Sequence, residues 1–245
     1  MLAFILFLPL FAATAVYCVF LTGKDLRKRF AAKAVCSAMF TLIGIVFFAL
    51  SENSLPKTLV LIGLFLGAIG DIVLETGNFH QDKYKVFFVS GGGSFLLGHF
   101  FYIAALLISV FKLKETGRTG FLPQSVSNLT ILPVLLSIVF FLIFVSVSHR
   151  FNLRAVEGGK AFRFAIGGYL SVVAAAGAIA VSCALCVSAR VFITYSCGFV
   201  LFLISDSTLM KNMFGPKRTI LYDHIIITSY YFAQFALALS IYIRL

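Results

Sequence analysis

Charge is what this chain has least of. Asp, Glu, Lys and Arg together make up 12% of 245 residues, and only nine residues are acidic. A soluble domain carries about 25% charge, so a water-facing surface of this size cannot be covered, and no room is left for a separate soluble domain. Tryptophan is absent, prolines number five, and the cysteines are Cys18, Cys36, Cys183, Cys186 and Cys197. All five cysteines lie in or near apolar runs and read as small membrane-buried residues. Cys183-Ala-Leu-Cys186 has CxxC spacing, but no second pair completes a metal site. There is no Gly-x-Ser-x-Gly elbow and no His-Glu-x-x-His zinc pattern. The Gly-x-Gly-Asp of intramembrane aspartyl proteases is incomplete, because Asp71 follows Ala68-Ile-Gly70. No metal and no organic cofactor is expected.

What is present is apolar. Hydrophobic residues make up 61% of the chain, and mean hydropathy is +1.04. They fall in runs of roughly twenty, the length that crosses about 30 Å of hydrocarbon at 1.5 Å per residue. The expected fold is all-α: one polytopic integral membrane domain over residues 1–245, a bundle of about eight transmembrane helices. The runs predict spans at roughly 2–22, 32–50, 58–76, 86–110, 129–148, 164–187, 191–210 and 219–243. The first lacks a basic leader and is longer than a signal core, so it reads as a retained helix. The longest loops are 111–128 and 149–163. No convincing repeat is visible.

A net charge of +11 raises the question of nucleic acid. No nucleic-acid partner is expected, because the basic residues sit in short loops beside apolar runs and are not interleaved with exposed aromatics. Lys and Arg concentrate in the first, third, fifth and seventh loops. The positive-inside rule then places those loops in the cytoplasm and both termini outside. In that topology Lys33, Asp71, Asp206, Asp223 and His224 all lie in the cytoplasmic leaflet. Of the basic residues before the second span, Lys24, Arg27, Lys28 and Arg29 read as topology signals. Lys33 lies deeper, where it would meet a lipid phosphate, pair with an acid, or snorkel to the interface.

Two acids interrupt apolar runs: Asp71 in Gly70-Asp71-Ile-Val-Leu74, and Asp206 in Leu203-Ile204-Ser205-Asp206-Ser207. A charge at membrane depth costs about 2.5–3.5 kcal/mol on insertion scales, and such acids mark functional sites by default. Two carboxyls in one cavity suit general acid–base catalysis, and they suit proton-coupled transport equally well. The alternative is a buried acid paired with Lys33 or a tyrosine to hold the bundle together. Glu75 lies one turn from Asp71 on the same face.

His99, in Gly98-His99-Phe-Phe-Tyr102, is either a proton shuttle or a hydrogen-bonded packing residue, and Tyr102 shares its face. Tyr230 and Gln234 are four apart and face one way, either lining a cavity or making polar contacts between helices. Gly91-Gly92-Gly93 is expected to open the fourth helix and to let it pack closely on a neighbour.

Together these segments resemble a known family. Gly70-Asp71-Ile-Val-Leu74, Gly98-His99-Phe-Phe-Tyr102, Leu203-Ile204-Ser205-Asp206-Ser207-Thr208-Leu209 and Tyr230-Tyr231-Phe-Ala233-Gln234 resemble the lysoplasmalogenases, the YhhN-like membrane proteins. A lysine opening the second span, here Lys33, is also typical. The resemblance covers nearly the whole chain. It implies hydrolysis of the vinyl-ether bond of lysoplasmalogens to a fatty aldehyde and glycerophosphoethanolamine or glycerophosphocholine. It implies Asp71 and Asp206 as catalytic residues. Lys33, Glu75, His99, Tyr102, Ser205, Asp223, Tyr230, Tyr231 and Gln234 are the expected substrate-binding set. The expected partners are a lysophospholipid substrate and membrane lipids, with oligomeric state open. The expected location is the endoplasmic reticulum membrane for a eukaryotic member and the inner membrane for a bacterial one, with the site facing the cytoplasm. The rival reading is a proton-coupled small-molecule or lipid transporter that uses the same acids.

Overall fold

Helix starts in this chain follow its few polar residues. In the computed structural model, Asp25 accepts from the backbone N–H groups of Arg27 and Lys28 and so caps a helix over Leu26–Ala49. This is the capping that Asp favours at a helix N-terminus. Ser54 precedes a helix whose first turn holds Pro56, and Thr219 accepts from the N–H of Tyr222. Proline suits a first turn because its missing N–H would have no partner there.

The structure describes residues 2–21, 23, 25–115, 131–150, 159–186 and 189–243. Among them it is all-helical: α1 (Leu2–Leu21), α2 (Leu26–Ala49), α3 (Leu55–Thr76), α4 (Tyr84–Glu115), α5 (Ile131–Ser148), α6 (Lys160–Cys186), α7 (Arg190–Phe214) and α8 (Ile220–Tyr242). Two short 3₁₀ turns, Gly77–Phe79 and Gln81–Lys83, join α3 to α4. Among the described residues seven helices are long and apolar enough to cross a membrane. The fifth predicted span is α5, whose 18 residues rise about 27 Å, just short of an ~30 Å core. Most of the expected 111–128 loop and residues 151–158 of the 149–163 loop lie outside the described residues, as does Lys24.

Several helix starts differ from expectation. The second helix begins at Leu26, ahead of the expected 32, so Lys33 lies two turns inside it and does not open it; the sixth begins at Lys160, ahead of the expected 164. The fourth begins at Tyr84, close to the expected 86, and the glycine run lies two turns inside it. Those two turns have a packing reason: Phe87 fills the space beside Gly77 in the preceding turn. Gly91 alone of the three glycines is closely approached, by Leu74 and the Gly70 carbonyl of α3, whereas Gly92 and Gly93 face open space.

The chain divides into two compact units, Met1–Ala105 and Leu106–Leu245. In the first, α1 packs on α2 and α2 on α3. The α3–α4 contact is made by small residues on both sides. Gly63 and Gly70 of α3 receive the rings of Tyr102 and Phe95, and Gly91 and Gly98 of α4 sit against α3. Ser94 of α4 donates to the Leu66 carbonyl at 2.7 Å. In apolar surroundings helices gain little from burying greasy surface, so close backbone approach and such hydrogen bonds hold them together. In the second unit α5, α6, α7 and α8 pack consecutively, with Gly198 of α7 against Leu237 of α8.

Candidate functional site

Within the first unit, α2 presents Arg29, Lys33 and Ser37 at intervals of four residues, hence on one face. Facing them, α3 presents Asp71 and Glu75 at the same interval. The two rows interlock as a ladder. Arg29 Nε lies 2.6 Å from Glu75 Oε1. Lys33 Nζ bridges both acids, 3.5 Å from Asp71 Oδ1 and 3.6 Å from Glu75 Oε2. Ser37 Oγ donates to Asp71 Oδ2 at 2.7 Å.

Asp71 is 2% exposed and Glu75 3%, while Arg29 and Lys33 keep 17% and 14% of their side-chain surface. Burying either acid alone would be costly; with two cations against two carboxylates, the charges compensate one another. The ladder has Asp71 and Glu75 on one face, as their spacing implied, and of the readings open for Lys33 it shows pairing with the acids. It adds Arg29 and Ser37, which the sequence did not single out. Arg29 is more than a topology signal, because the first turn of α2 carries it inward to Glu75.

Also in this unit, His99 is buried and its Nδ1 donates to the Phe95 carbonyl at 2.8 Å. That bond fixes the proton on Nδ1. Its ring meets the Tyr102 ring edge-on at 6.2 Å, and Tyr102 fills the hollow at Gly63.

The second unit holds the other acid. Asp206, 6% exposed on α7, accepts a 2.6 Å hydrogen bond from the Tyr169 hydroxyl of α6. Among the described residues no basic side chain pairs with it. Its neighbours in sequence are turned to other tasks. Ser205 donates to the Ile226 carbonyl of α8 at 3.1 Å, and Ser207 lies 3.3 Å from Ser148 of α5.

Asp223 sits in the first turn of α8, held by Asn212 Nδ2 at 2.9 Å and by Arg218 at 3.2 and 3.4 Å. Gln234 donates to the Tyr230 hydroxyl at 2.8 Å along one face of α8. Tyr230 also meets the rings of Phe202 and Tyr231 edge-on, and Tyr231 and Gln234 are each 1% exposed.

Tyr169 has no signature in the sequence. It lies in Gly167-Gly168-Tyr169-Leu170, where only a three-dimensional contact distinguishes it. Among the described residues no group of three or more His, Cys, Asp or Glu is arranged to hold a metal ion, and the cysteines are free thiols.

Transmembrane helices that carry a buried charge ladder and a buried acid define a polytopic membrane protein with polar intramembrane centres. Comparison with protein families matches residues 29–241 to the YhhN family. The chain belongs to that family. Searches of curated proteins and of solved structures returned no match.

Proposed function

We propose that this protein is a lysoplasmalogenase, an ether hydrolase that cleaves the sn-1 vinyl-ether bond of lysoplasmalogen to a fatty aldehyde and glycerophosphoethanolamine or glycerophosphocholine. Membership of the YhhN family is compatible with a hydrolase. The observation that carries the reading is the contrast between the two intramembrane aspartates. Asp71 stands beside Lys33 and Ser37. The described hydrogen-bond partner of Asp206 is a neutral phenol.

The reaction asks for one acid and one carboxylate. A carboxylic acid protonates the β-carbon of the vinyl ether, which leaves an oxocarbenium ion at the α-carbon. A carboxylate stabilises that cation and takes a proton from the water that attacks it. The hemiacetal so formed collapses to aldehyde and alcohol. The logic parallels that of the two-carboxylate glycosidases. With a countercharge at hand, Asp71 is assigned the carboxylate. Asp206, with a neutral donor, is assigned the acid. Lys33 is assigned to the substrate phosphate, in a site open to the cytoplasmic leaflet. His99, Tyr102, Ser205, Tyr230, Tyr231 and Gln234 are proposed to shape and line the substrate's surroundings. Asp223 and Glu75 are proposed to set the charge near the headgroup.

The test is release of fatty aldehyde from 1-alkenyl lysophosphatidylethanolamine by purified protein, beside Asp71→Asn and Asp206→Asn. Aldehyde from the wild type and from neither variant is the expected result. A fully active Asp206→Asn removes that residue from the chemistry. No aldehyde from folded protein with either headgroup moves the reading to proton-coupled transport.

A further inference from the structure

The C-terminal end of α5 and the first turns of α6 enclose a cavity of about 290 Å³. Its wall differs in kind from those of two larger grooves. The α2–α3 groove, about 720 Å³, and the α5–α7 groove, about 400 Å³, have no charged side chain in their linings. The α5–α6 cavity has Arg163 on one side and His149 on the other, and no carboxylate among the described residues of its wall. Arg163 is exposed, and among the described residues no acid pairs with it. A guanidinium at a cavity wall without a countercharge is suited to an anion, because its fork of donors matches phosphate oxygens.

Glycine makes the room. Gly167 and Gly168 form part of the α6 side, and a Cβ on Gly168 would meet nothing within 4 Å. The next residue is Tyr169, whose hydroxyl bonds Asp206. On the α5 side, Ser148 lines the cavity and lies 3.3 Å from Ser207, the residue after Asp206. Each wall therefore reaches the surroundings of the buried acid through one contact.

Depth favours a lipid head. His149 directly follows α5, and Arg163 lies in the first turn of α6, so both stand where hydrocarbon gives way to head groups. The loop charges assign these helix ends to the cytoplasmic leaflet, where anionic phospholipids concentrate, and basic pockets between helices on that side suit their heads. Phe164, 84% exposed, stands next to Arg163 in the same wall and offers apolar surface to the part of a lipid just below its head.

We propose that this pocket binds the phosphate-bearing head of a phospholipid with net negative charge, and that the bound lipid braces α5 against α6 around Asp206. The substrate of the hydrolase reading is zwitterionic and brings an ammonium for which the described wall has no carboxylate. The lipid of this pocket is therefore a stabilising partner distinct from that substrate, and its binding does not depend on the hydrolase reading.

The experiment uses full-length protein in a neutral detergent without substrate. Palmitoyl-oleoyl phosphatidylglycerol and phosphatidylcholine of the same chains are titrated in separately. The readouts are the thermal midpoint and the lipid retained in native mass spectra. Phosphatidylglycerol should raise the midpoint saturably and be retained; phosphatidylcholine should do neither. Two variants remove the site by different means. Arg163→Gln removes the cation and should weaken phosphatidylglycerol about tenfold, the effect of one charge-assisted contact. Gly168→Leu keeps every charge, fills the open space and should weaken it as much. Lys217→Gln, the same loss of charge at an exposed position before α8, should leave it unchanged. Equal weakening by Arg163→Gln and Lys217→Gln would mean a diffuse basic surface and would overturn the proposal, as would phosphatidylcholine matching phosphatidylglycerol. A midpoint raised as far by inorganic phosphate alone would make the pocket a site for a free anion and would overturn the lipid as its occupant.

Discussion

The Tyr169 hydroxyl donates to Asp206 Oδ2 at 2.6 Å, across the contact between α6 and α7. A short bond from a phenol to a carboxyl fixes that carboxyl's direction and stabilises the charge it gains as its proton leaves. Tyr169→Phe keeps the ring and removes only the donor. A hydrogen bond to a charged group is worth roughly 1.5–3 kcal/mol. Because Asp206, as the acid, becomes a carboxylate only in the transition state of proton transfer, kcat for aldehyde release should fall about 10- to 100-fold with little change in KM. A Tyr169→Phe protein at the wild-type rate would leave Tyr169 with a packing role only.

The charge ladder makes a separate prediction about stability. Lys33 bridges Asp71 and Glu75, so Lys33→Met leaves Asp71 buried without its cation, while Glu75 keeps Arg29. Breaking a buried pair from one side costs about 3–5 kcal/mol. Thermal unfolding in a fixed detergent should show a large drop for Lys33→Met. A second replacement, Asp71→Asn on that background, should recover part of the loss because it removes the stranded charge. Equal midpoints for wild type and Lys33→Met would show that the ladder contributes little.

Much of this arrangement could be read before the structure, and the reason is that it is local. Asp71 and Glu75 share a face by spacing alone, and an acid inside an apolar run has few meanings. Lys33 stands out because it lies past the basic cluster. Arg29 does not stand out. Its neighbours Arg27 and Lys28 are chemically alike, and only the cap at Asp25 decides which of them turns inward. Ser37 and Tyr169 have no local signature, since serine and tyrosine are ordinary in apolar helices and their partners lie 34 and 37 residues away. The start of α4 at Tyr84 is close to the expected 86, but a glycine run by itself suggests a helix end, whereas packing of Phe87 at Gly77 sets two helical turns ahead of that run.

That glycine run separates two effects of the same substitution. A Cβ on Gly91 would lie 2.7 Å from Leu74 Cγ and 3.1 Å from the Gly70 carbonyl oxygen, whereas a Cβ on Gly93 would meet nothing within 4 Å. Gly91→Ala should therefore force α3 and α4 apart and destabilise by about 1–3 kcal/mol, as overpacking does. Gly93→Ala should stabilise by about 0.5–1 kcal/mol, because alanine gives up less backbone freedom in a helix. Opposite shifts of the thermal midpoint in one detergent are the expected outcome. Shifts of the same sign would contradict the packing of Gly91 on α3.

The turn between α7 and α8 rests on Asn212 more than on its ion pair. Asn212 is 2% exposed. Its amide donates to Asp223 Oδ1 at 2.9 Å, and its carbonyl accepts from the Thr219 N–H at 2.8 Å. Arg218 touches the same carboxylate, but 61% of its side chain is exposed, and exposed pairs contribute about 0–1 kcal/mol. Asn212→Leu removes both bonds; Asp223 and the Thr219 N–H are half-buried and Asp223 keeps Arg218, so the cost falls toward the lower end of the about 1–3 kcal/mol of a fully buried unsatisfied group. Arg218→Ala should cost less than about 1 kcal/mol. Hydrogen exchange at the first turn of α8 should accelerate strongly in Asn212→Leu and hardly at all in Arg218→Ala. The reverse order would make the ion pair, and not the buried amide, what holds Asp223 at the head of α8.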